Sequence, residues 1–561
     1  MMSEKRTMLC VPVTARAEDQ AFADIQSAKR ANAGMIELRL DYLERSDAHM
    51  VCRLVEQARQ AGGQTIATCR IAEEGGQWHG EETQRIALLV AAGEAGADYI
   101  DVEYHAWKRS AQLRQAIGRV CRVDTGAERP RCRLILSKHN FTETPANLDA
   151  IFAELRNEPA HVVKLACKAN RITDALRMLD ALRESARTGP AIGLSMGEAG
   201  VITRVLAGKV GGLLTFAALD TGKESAPGQP AIKQMRSLYR WDALRPDTRV
   251  YGVIGCPVAH SMSPAIMNAA FDAIGYDGVY LPLRVEPDYA DFAAFIDGCL
   301  ARPWLGLSGC SVTIPHKQNL LRYVAERAGH IEPLAARIGA ANTLAIEPAP
   351  DDQGAAGFSP RGAPRDENAT HHGKTARAEA RGSLAAHNTD YRGAMDALCA
   401  GMERGPEGLR GLSAAVLGAG GASRAIVAGL IDAGCRVTIY NRTLAKAEQL
   451  AAEFGASALP WEARSAIQAN VVVQCTSIGM WPNADETPLP TFDLPPTTVV
   501  FETIYNPMET RLLQQARDHN CRTVDGVAMF VGQAAAQFQR WTGQPAPTDL
   551  IRSIMLERLQ H

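Results

Sequence analysis

Eight short β-rich runs, at 7–13, 35–41, 64–70, 99–104, 132–140, 161–167, 191–196 and 213–219, alternate with longer Ala- and Leu-rich stretches. Two of those stretches, 82–95 and 171–184, are apolar at helical spacing. Strand–helix alternation of this kind predicts parallel βαβ units, and eight of them predict a (β/α)8 barrel. Such a barrel places its active site at the C-terminal ends of the strands, which makes the polar residues there the first candidates. Strand two carries Glu37 and Arg39, strand three ends at Arg70, and strand five ends at His139. Strand six holds Lys164, strand seven ends at Met196, and Arg204 follows on the next helix.

Lys164 lies inside the apolar run His161-Val162-Val163-Lys164-Leu165-Ala166. Burial there disfavours the ammonium and lowers its pKa, leaving an amine that can add to a carbonyl as a Schiff base. The alternative is a strand-end lysine that snorkels to water. Cations converging beside a buried lysine and a histidine suit a substrate with both a carboxylate and a ketone. Lys138 is adjacent to His139, so strand alternation turns it to the other face, and Lys168 lies beyond the apolar run. Both are assigned to structure or solvent.

The first half resembles type I 3-dehydroquinate dehydratase over roughly residues 8–237. The matching pieces are Ile36-Glu37-Leu38-Arg39-Leu40-Asp41, Arg70 with Glu74-Gly75-Gly76, Ser137-Lys138-His139-Asn140-Phe141 with Thr144-Pro145, and Val163-Lys164. Met196-Gly197 with Arg204, and Ser225-Ala226-Pro227-Gly228-Gln229, complete the set. The resemblance implies that Lys164 forms an imine with the substrate ketone. It further implies that His139 removes the proton alpha to that carbon and helps the hydroxyl leave. Arg204 and Gln229 would grip the carboxylate, with Glu37, Arg39, Arg70 and Ser225 lining the substrate site and Glu74 a loop contact nearby. No metal is implied.

At 561 residues the chain exceeds what one hydrophobic core serves, so several domains are expected. Its 60 Lys and Arg balance 62 Asp and Glu, and they are scattered, which gives no reason to expect a nucleic-acid or membrane partner. The 13 cysteines include no C-x-x-C pair, which favours reduced thiols. With a polar start at Met1–Arg6 and no long apolar run, a soluble cytoplasmic enzyme is expected. The sequence sets no oligomeric state.

A second apolar pattern restarts at Val250-Tyr251-Gly252-Val253-Ile254-Gly255. Further on, the strand Ala414-Ala415-Val416-Leu417 enters Gly418-Ala419-Gly420-Gly421-Ala422-Ser423 and then a helical pattern. Backbone N–H groups of such a turn, with the helix N-terminus, can hold a pyrophosphate. Ser423 stands where that fingerprint usually has Gly or Ala. The next strand ends in Asn441-Arg442-Thr443, where an NAD enzyme generally places an acid for the ribose hydroxyl. Donors and positive charge suit a 2′-phosphate, so NADP is the expected cofactor.

The second half resembles shikimate dehydrogenase from about residue 249 onward. The motifs are Ser261-Met262-Ser263-Pro264, Ser311-Val312-Thr313-Ile314-Pro315-His316-Lys317, Gly339-Ala340-Ala341-Asn342-Thr343 and Asn388-Thr389-Asp390. To these are added Cys475-Thr476-Ser477-Ile478-Gly479-Met480, Ile504-Tyr505-Asn506-Pro507, and Gly526-Val527-Ala528-Met529 with Gln533. The family pairs an α/β substrate domain with a Rossmann domain around a cleft. By that resemblance Lys317 and Asp390 exchange the proton while NADPH supplies hydride. Ser261, Ser263, Thr313, Asn342, Tyr505 and Gln533 would bind the substrate, and Gly526 and Met529 would join the turn in binding the cofactor. Ser311 replaces the usual Asn, Glu502 the usual Asp, and Gln474 a small polar residue, which implies tuned rather than lost activity.

The expected domains are a barrel at 1–240, a substrate domain at 249–390, a Rossmann domain at 391–525 and returning helices at 526–561. Residues 348–381, rich in Gly, Ala, Pro and mixed charge, are expected to be a disordered insertion. Together the halves imply a bifunctional enzyme that dehydrates 3-dehydroquinate and reduces the 3-dehydroshikimate formed to shikimate. One rival is an NAD-dependent quinate/shikimate dehydrogenase, against which Asn441-Arg442-Thr443 speaks. Another is a non-catalytic metabolite sensor, which should have lost Lys164, His139, Lys317 or Asp390.

Overall fold

The computed structural model describes residues 7–121, 132–347 and 383–559. Residues 348–381, expected to be disordered, lie outside the described residues. By their contacts the residues form two compact units, one of 1–249 with 277–286 and 294–306, the other of 250–276, 287–293 and 307–561.

The first unit holds eight parallel strands: β1 (Met8–Val13), β2 (Met35–Arg39), β3 (Gln64–Thr68), β4 (Tyr99–Glu103), β5 (Arg133–Asn140), β6 (Val162–Lys168), β7 (Ala191–Met196) and β8 (Leu214–Phe216). Their order, β7–β6–β5–β4–β3–β2–β1–β8, follows the chain round a barrel, and Leu213 N donates to Ala191 O (2.9 Å) across the gap between β7 and β8. Strands two, three and eight are shorter than the β-rich runs suggested. After β2 the chain leaves the ladder for a 3-10 turn at Leu40–Tyr42. Alternate residues of a strand share a face, and the barrel interior is built on that rule. Met35, Tyr99, Ile135 and Val162 belong to an apolar core cluster. Two residues further along the same strands stand Glu37, Asp101, Ser137 and Lys164. A hydrophobic floor thus carries a polar ring at its C-terminal rim.

The second unit contains two sheets. In one, β9 (Arg249–Gly255), β11 (Leu307–Val312), β13 (Thr343–Glu347), β14 (Ser383–His387) and β12 (His330–Ile331) lie in that order, β13 antiparallel to both neighbours. Strand β10 (Gly278–Arg284) falls in a segment grouped with the first unit. The other sheet is fully parallel: β17 (Ser457–Pro460), β16 (Arg436–Asn441), β15 (Ser413–Leu417), β18 (Val471–Gln474), β19 (Val499–Glu502) and β20 (Arg522–Val524). Numbered along the chain this is the 3-2-1-4-5-6 order of a dinucleotide-binding sheet. Both faces are covered. Ala414 and Val416 pack into one core cluster, Ala415 and Leu417 into the other. Among the described residues no helix is long and apolar enough to cross a membrane.

Candidate active sites

At the C-terminal rim of the barrel one cavity is lined by Glu37, Arg39, Arg70, Glu74, His139, Lys164, Arg204 and Ser225, with Phe141, Met196 and Phe216 as its apolar walls. The lysine is buried, but its surroundings correct the apolar picture drawn from its own strand. Its Nζ donates to Asp101 Oδ2 (2.7 Å) and lies 4.5 Å from the centre of the Phe216 ring. Burial opposes the charge on Asp101, yet Arg70 at 3.0 Å and Lys164 outweigh it and hold that carboxyl well below the usual range. Ser137 Oγ donates to Asp101 (2.6 Å) and accepts from Arg70 (2.7 Å).

The cations expected at the barrel mouth do converge on this cavity, but they are not equivalent. Arg39 forms a two-pronged pair with Asp41 (3.0 and 2.8 Å), and Arg70 is shared between Asp101 and Glu103. Arg204 differs. It is buried, its Nε and Nη2 have no hydrogen-bond partner, and burial pushes its guanidinium down to about 10. A buried guanidinium without a partner is costly unless an anion arrives, and among the described residues lining the cavity Arg204 is the arginine with no carboxylate against it. Gln229 sits behind Ser225, accepting from its N (2.8 Å) and Oγ (3.1 Å), while its own Nε2 is buried without a partner. Glu37 accepts from Thr68 Oγ1 (2.8 Å).

Glu74 is more than a loop contact. Its Oε2 is 2.9 Å from His139 Nδ1, and burial raises its carboxyl to about 7 against the opposing pull of Arg70. Burial, reinforced by Arg70 and Lys164, holds His139 well below its ordinary value. A neutral imidazole whose Nδ1–H is given to Glu74 keeps Nε2 free to take a proton. Lys138 turns away towards Glu154 (3.4 Å), and Lys168 is exposed.

Sequence reasoning passed over Asp101 and Glu103. The signal was present: in Tyr99-Ile100-Asp101-Val102-Glu103 two acids fall at alternate positions of an otherwise buried strand, so both face the interior.

In the second unit Lys317 opens the helix Lys317–Glu326, Asp390 opens Asp390–Met402, and the two side chains form an ion pair. Asn342 Nδ2 donates to Asp390 Oδ1 (2.9 Å) and its Oδ1 accepts from Thr389 N (2.9 Å). Asn388 Oδ1 accepts from Asp390 N (3.0 Å), so the aspartate is held from both ends. Ser263 N donates to Ser261 Oγ (3.3 Å), and Thr313 follows β11 with its N on Ile254 O (2.9 Å). The Tyr505 ring packs on Phe530 (4.5 Å), and burial lifts its hydroxyl to about 12. Gln533 Nε2 donates to Phe530 O (3.1 Å).

The three departures are absorbed locally. Ser311 Oγ donates to Gln537 Oε1 (2.7 Å), and Gln537 Nε2 reaches Asn342 O (3.1 Å) and Thr343 Oγ1 (3.0 Å). Gln474 braces the next turn through Thr476 N (3.0 Å) and Ile478 O (3.0 Å). Glu502 accepts from Ile504 N (3.0 Å) and Thr510 Oγ1 (2.9 Å), and burial raises it to about 8.

The Gly-rich turn leaves β15 with Gly418 at φ +112° and nothing within 4 Å of a Cβ placed on Gly420. A Cβ on Gly421, first residue of the helix Gly421–Asp432, would stand 3.0 Å from Lys317 Cδ. Ala419 and Ala422 complete the turn, and buried Ser423 accepts from Gly420 N (3.2 Å). The open space over helix N–H groups fits a pyrophosphate. Asn441 caps Thr443 O (2.8 Å), while Arg442 and Thr443 are exposed beyond β16. Gly526 opens the helix Gly526–Thr542, packed so that a Cβ would meet Ile504 O at 2.4 Å. Met529 lies on the first turns of that helix with its side chain in the apolar core cluster.

Fold and sites together define an α/β protein that joins a lysine-centred barrel to a Rossmann-type oxidoreductase unit. Residues 9–246 match the type I 3-dehydroquinase family, 253–344 the shikimate dehydrogenase substrate binding domain, 402–479 the shikimate/quinate 5-dehydrogenase family and 526–556 the shikimate 5′-dehydrogenase C-terminal domain. A chloroplastic bifunctional 3-dehydroquinate dehydratase/shikimate dehydrogenase of Arabidopsis thaliana is 35% identical over 98% of this chain and 84% of its own. A shikimate dehydrogenase (NADP(+)) of Methanosarcina mazei is 36% identical over 56% of this chain and 99% of its own. The Thermus thermophilus shikimate 5-dehydrogenase, solved with NADP(H) and shikimate, is 29% identical over 55% of this chain and 99% of that one, with a TM-score of 0.43. The chain belongs to the family of bifunctional shikimate-pathway enzymes that pair 3-dehydroquinate dehydratase with shikimate dehydrogenase.

Proposed function

We infer that the barrel dehydrates 3-dehydroquinate through an imine on Lys164 and that the second unit reduces the resulting 3-dehydroshikimate to shikimate with NADPH. The observation that carries the first step is one cavity holding a buried lysine, a depressed histidine and an unpartnered buried arginine. The substrate carboxylate pairs with Arg204, supported by Gln229 Nε2 and Ser225. Lys164 loses its ammonium proton to solvent, adds to the ketone as the neutral amine and expels the ketone oxygen as water, while Asp101 stays ionised and pairs with the protonated imine. His139 Nε2 removes the proton alpha to the imine, with Glu74 holding the ring. The same proton goes to the departing hydroxyl, and water then hydrolyses the imine and frees Lys164.

In the second unit the bound cofactor supplies hydride. Gly418, Ala419, Gly420, Gly421, Ala422 and Gly526 would hold its pyrophosphate and neighbouring groups, and Asn441, Arg442 and Thr443 its 2′-phosphate. Lys317 gives the proton to the forming alkoxide, and Asp390, fixed by Asn342 and Asn388, keeps the ammonium aimed and charged. Ser261, Ser263, Thr313, Tyr505 and Gln533 match the hydroxyls and carboxylate.

Borohydride reduction with 3-dehydroquinate, followed by peptide mapping, tests the first step. An adduct on Lys164 is expected, and one on Lys138, or none, sinks the assignment. Lys317→Ala should abolish NADPH-dependent reduction and leave dehydration intact, and loss of both would reject independent sites.

A further inference from the structure

Arg85 is a fully buried cation outside the barrel cavity, on the helix Glu82–Glu94. It grips Glu82 with Nε (2.7 Å) and Nη2 (2.8 Å), while Nη1 donates to Glu103 Oε2 (2.7 Å) and Cys69 O (3.2 Å). Glu103 is 3.4 Å from Arg70 and accepts from Ile71 N (3.1 Å). Arg70 is 3.0 Å from Asp101, which accepts from Lys164 at 2.7 Å. The series Glu82, Arg85, Glu103, Arg70, Asp101, Lys164 alternates in sign at each link, from the half-exposed Glu82 to the cavity lysine.

Two carboxylates, Asp101 and Glu103, contend for the single guanidinium of Arg70. Where an ion pair is buried, removing one partner leaves an uncompensated charge that its neighbours must answer. Without Arg85, only Arg70 stands ready to answer Glu103. We propose that Arg85 is a positioning residue of the dehydratase: by neutralising Glu103 it keeps Arg70 committed to Asp101, and so fixes the carboxylate that holds Lys164 in the cavity. The proposal rests on the reading of Lys164 as the imine lysine.

Among the described residues the other charged and titratable groups lining the cavity are Glu37 and Arg39 on β2, His139 on β5, Arg204 on the helix Val201–Val205 and Glu74 from the loop after β3, and the Cys10 thiol on β1 lies in the core within electrostatic reach of Glu37, Asp101 and Lys164. The Cys69 thiol feels Arg85 and Glu103, and Asp41 and Arg39 as well. None of these supplies a cation hydrogen-bonded to Glu103 in Arg85's place.

Dehydratase kcat and KM of the full chain are measured from pH 5 to 9 for Arg85→Met, Arg85→Lys, Glu103→Gln and Arg85→Met/Glu103→Gln. Far-UV circular dichroism and the Tm of the same samples report whether the barrel has folded. Loss of Arg85 removes one positive charge from the buried network and makes the potential in the cavity more negative, so the ionisation that limits kcat on the acidic side moves to higher pH. The acidic limb of kcat should move up by about half a pH unit in Arg85→Met, about threefold slower on that limb, with KM little changed. Arg85→Lys should restore most of the shift, and Glu103→Gln should move the limb down. The double variant, which leaves no buried carboxylate unanswered, should return close to the parent profile. A helix-anchoring role alone would lower Tm and leave every limb in place, and that result overturns the proposal. So does an upward shift in Glu103→Gln, which folds without an unpaired carboxylate if Arg85→Met does not. Failure to trap an adduct on Lys164 of the parent chain would instead reject the underlying imine reading.

Discussion

Replacing Arg204 by Leu should make the barrel more stable and the dehydratase worse. Burial alone carries the guanidinium from 12.5 to about 10. A gap of that size corresponds to roughly 3 kcal/mol of disfavoured charge. The sign follows from linkage. The folded-state value is depressed, so below about pH 10 both folded and unfolded chains carry the proton and the folded state bears the whole cost. That cost fades only as pH climbs from about 10 to 12.5. Arg204→Leu removes it at neutral pH but loses part of the packing of the arginine stem, about 1 kcal/mol. The net gain is about 2 kcal/mol, or about 4–8 °C for a unit of this size. At the same time the variant lacks the charged donor for the substrate carboxylate, worth about 1.5–3 kcal/mol, so kcat/KM should fall roughly 10- to 100-fold. Calorimetry of the full chain gives the first quantity, with the barrel transition identified as the one that added NADP leaves in place. A variant that melts lower, or one that keeps its kcat/KM, refutes the reasoning.

Two further outcomes follow from the second unit. Burial raises Glu502 from 4.5 to about 8, so its contribution to stability is full below pH 4.5 and is lost as pH rises through about 8. Glu502→Gln should therefore flatten the fall in stability of the second unit between pH 5 and 8, by up to about 4 kcal/mol. Denaturant unfolding at the two pH values checks this, and an unchanged slope rejects it. Arg442→Ser should raise KM for NADPH about tenfold, the loss of roughly one charge-assisted bond, and leave KM for NADH unmoved. Equal loss with both cofactors would show that Arg442 supports the loop rather than a 2′-phosphate.

Residues that carry chemistry and sit in unusual local surroundings were legible in the sequence. Lys164 in an apolar strand, His139 at a strand end, and a Gly-rich turn between strand and helix each contradict their local pattern, and each lies in a site. The barrel was legible because βαβ alternation leaves few other packings. What stayed hidden was the pairing of charges. Arg39, Arg70 and Arg204 look alike in sequence, and only the folded chain shows that Asp41 answers the first, Asp101 and Glu103 the second, and nothing the Nε and Nη2 of the third. Arg85 was hidden more deeply, because one arginine on an amphipathic helix reads as solvent-facing, whereas here it points inward at 0% exposure.

On the proposed reactions the two units meet the same problem, recognition of a hydroxylated cyclic carboxylate, with a lysine–aspartate pair in different surroundings. The imine reading asks for an amine that can lose its proton, and Lys164 ends a series of alternating buried charges. A ketone reduction needs an ammonium that retains its proton until hydride arrives. There the lysine has one aspartate, and neutral amides hold it: Asn342 Nδ2 donates to its Oδ1, and Asn388 Oδ1 accepts from its backbone N–H. Neutral amides orient the carboxylate without adding a second ionic partner that would draw it away from Lys317. Asn342→Asp should therefore damage reduction more than Asn342→Ala: it places a second carboxylate beside Asp390, and like charges at that distance cannot both ionise without cost. If the alanine variant were instead the slower of the two, the orienting amide would outweigh the charge balance, and this contrast between the units would fail.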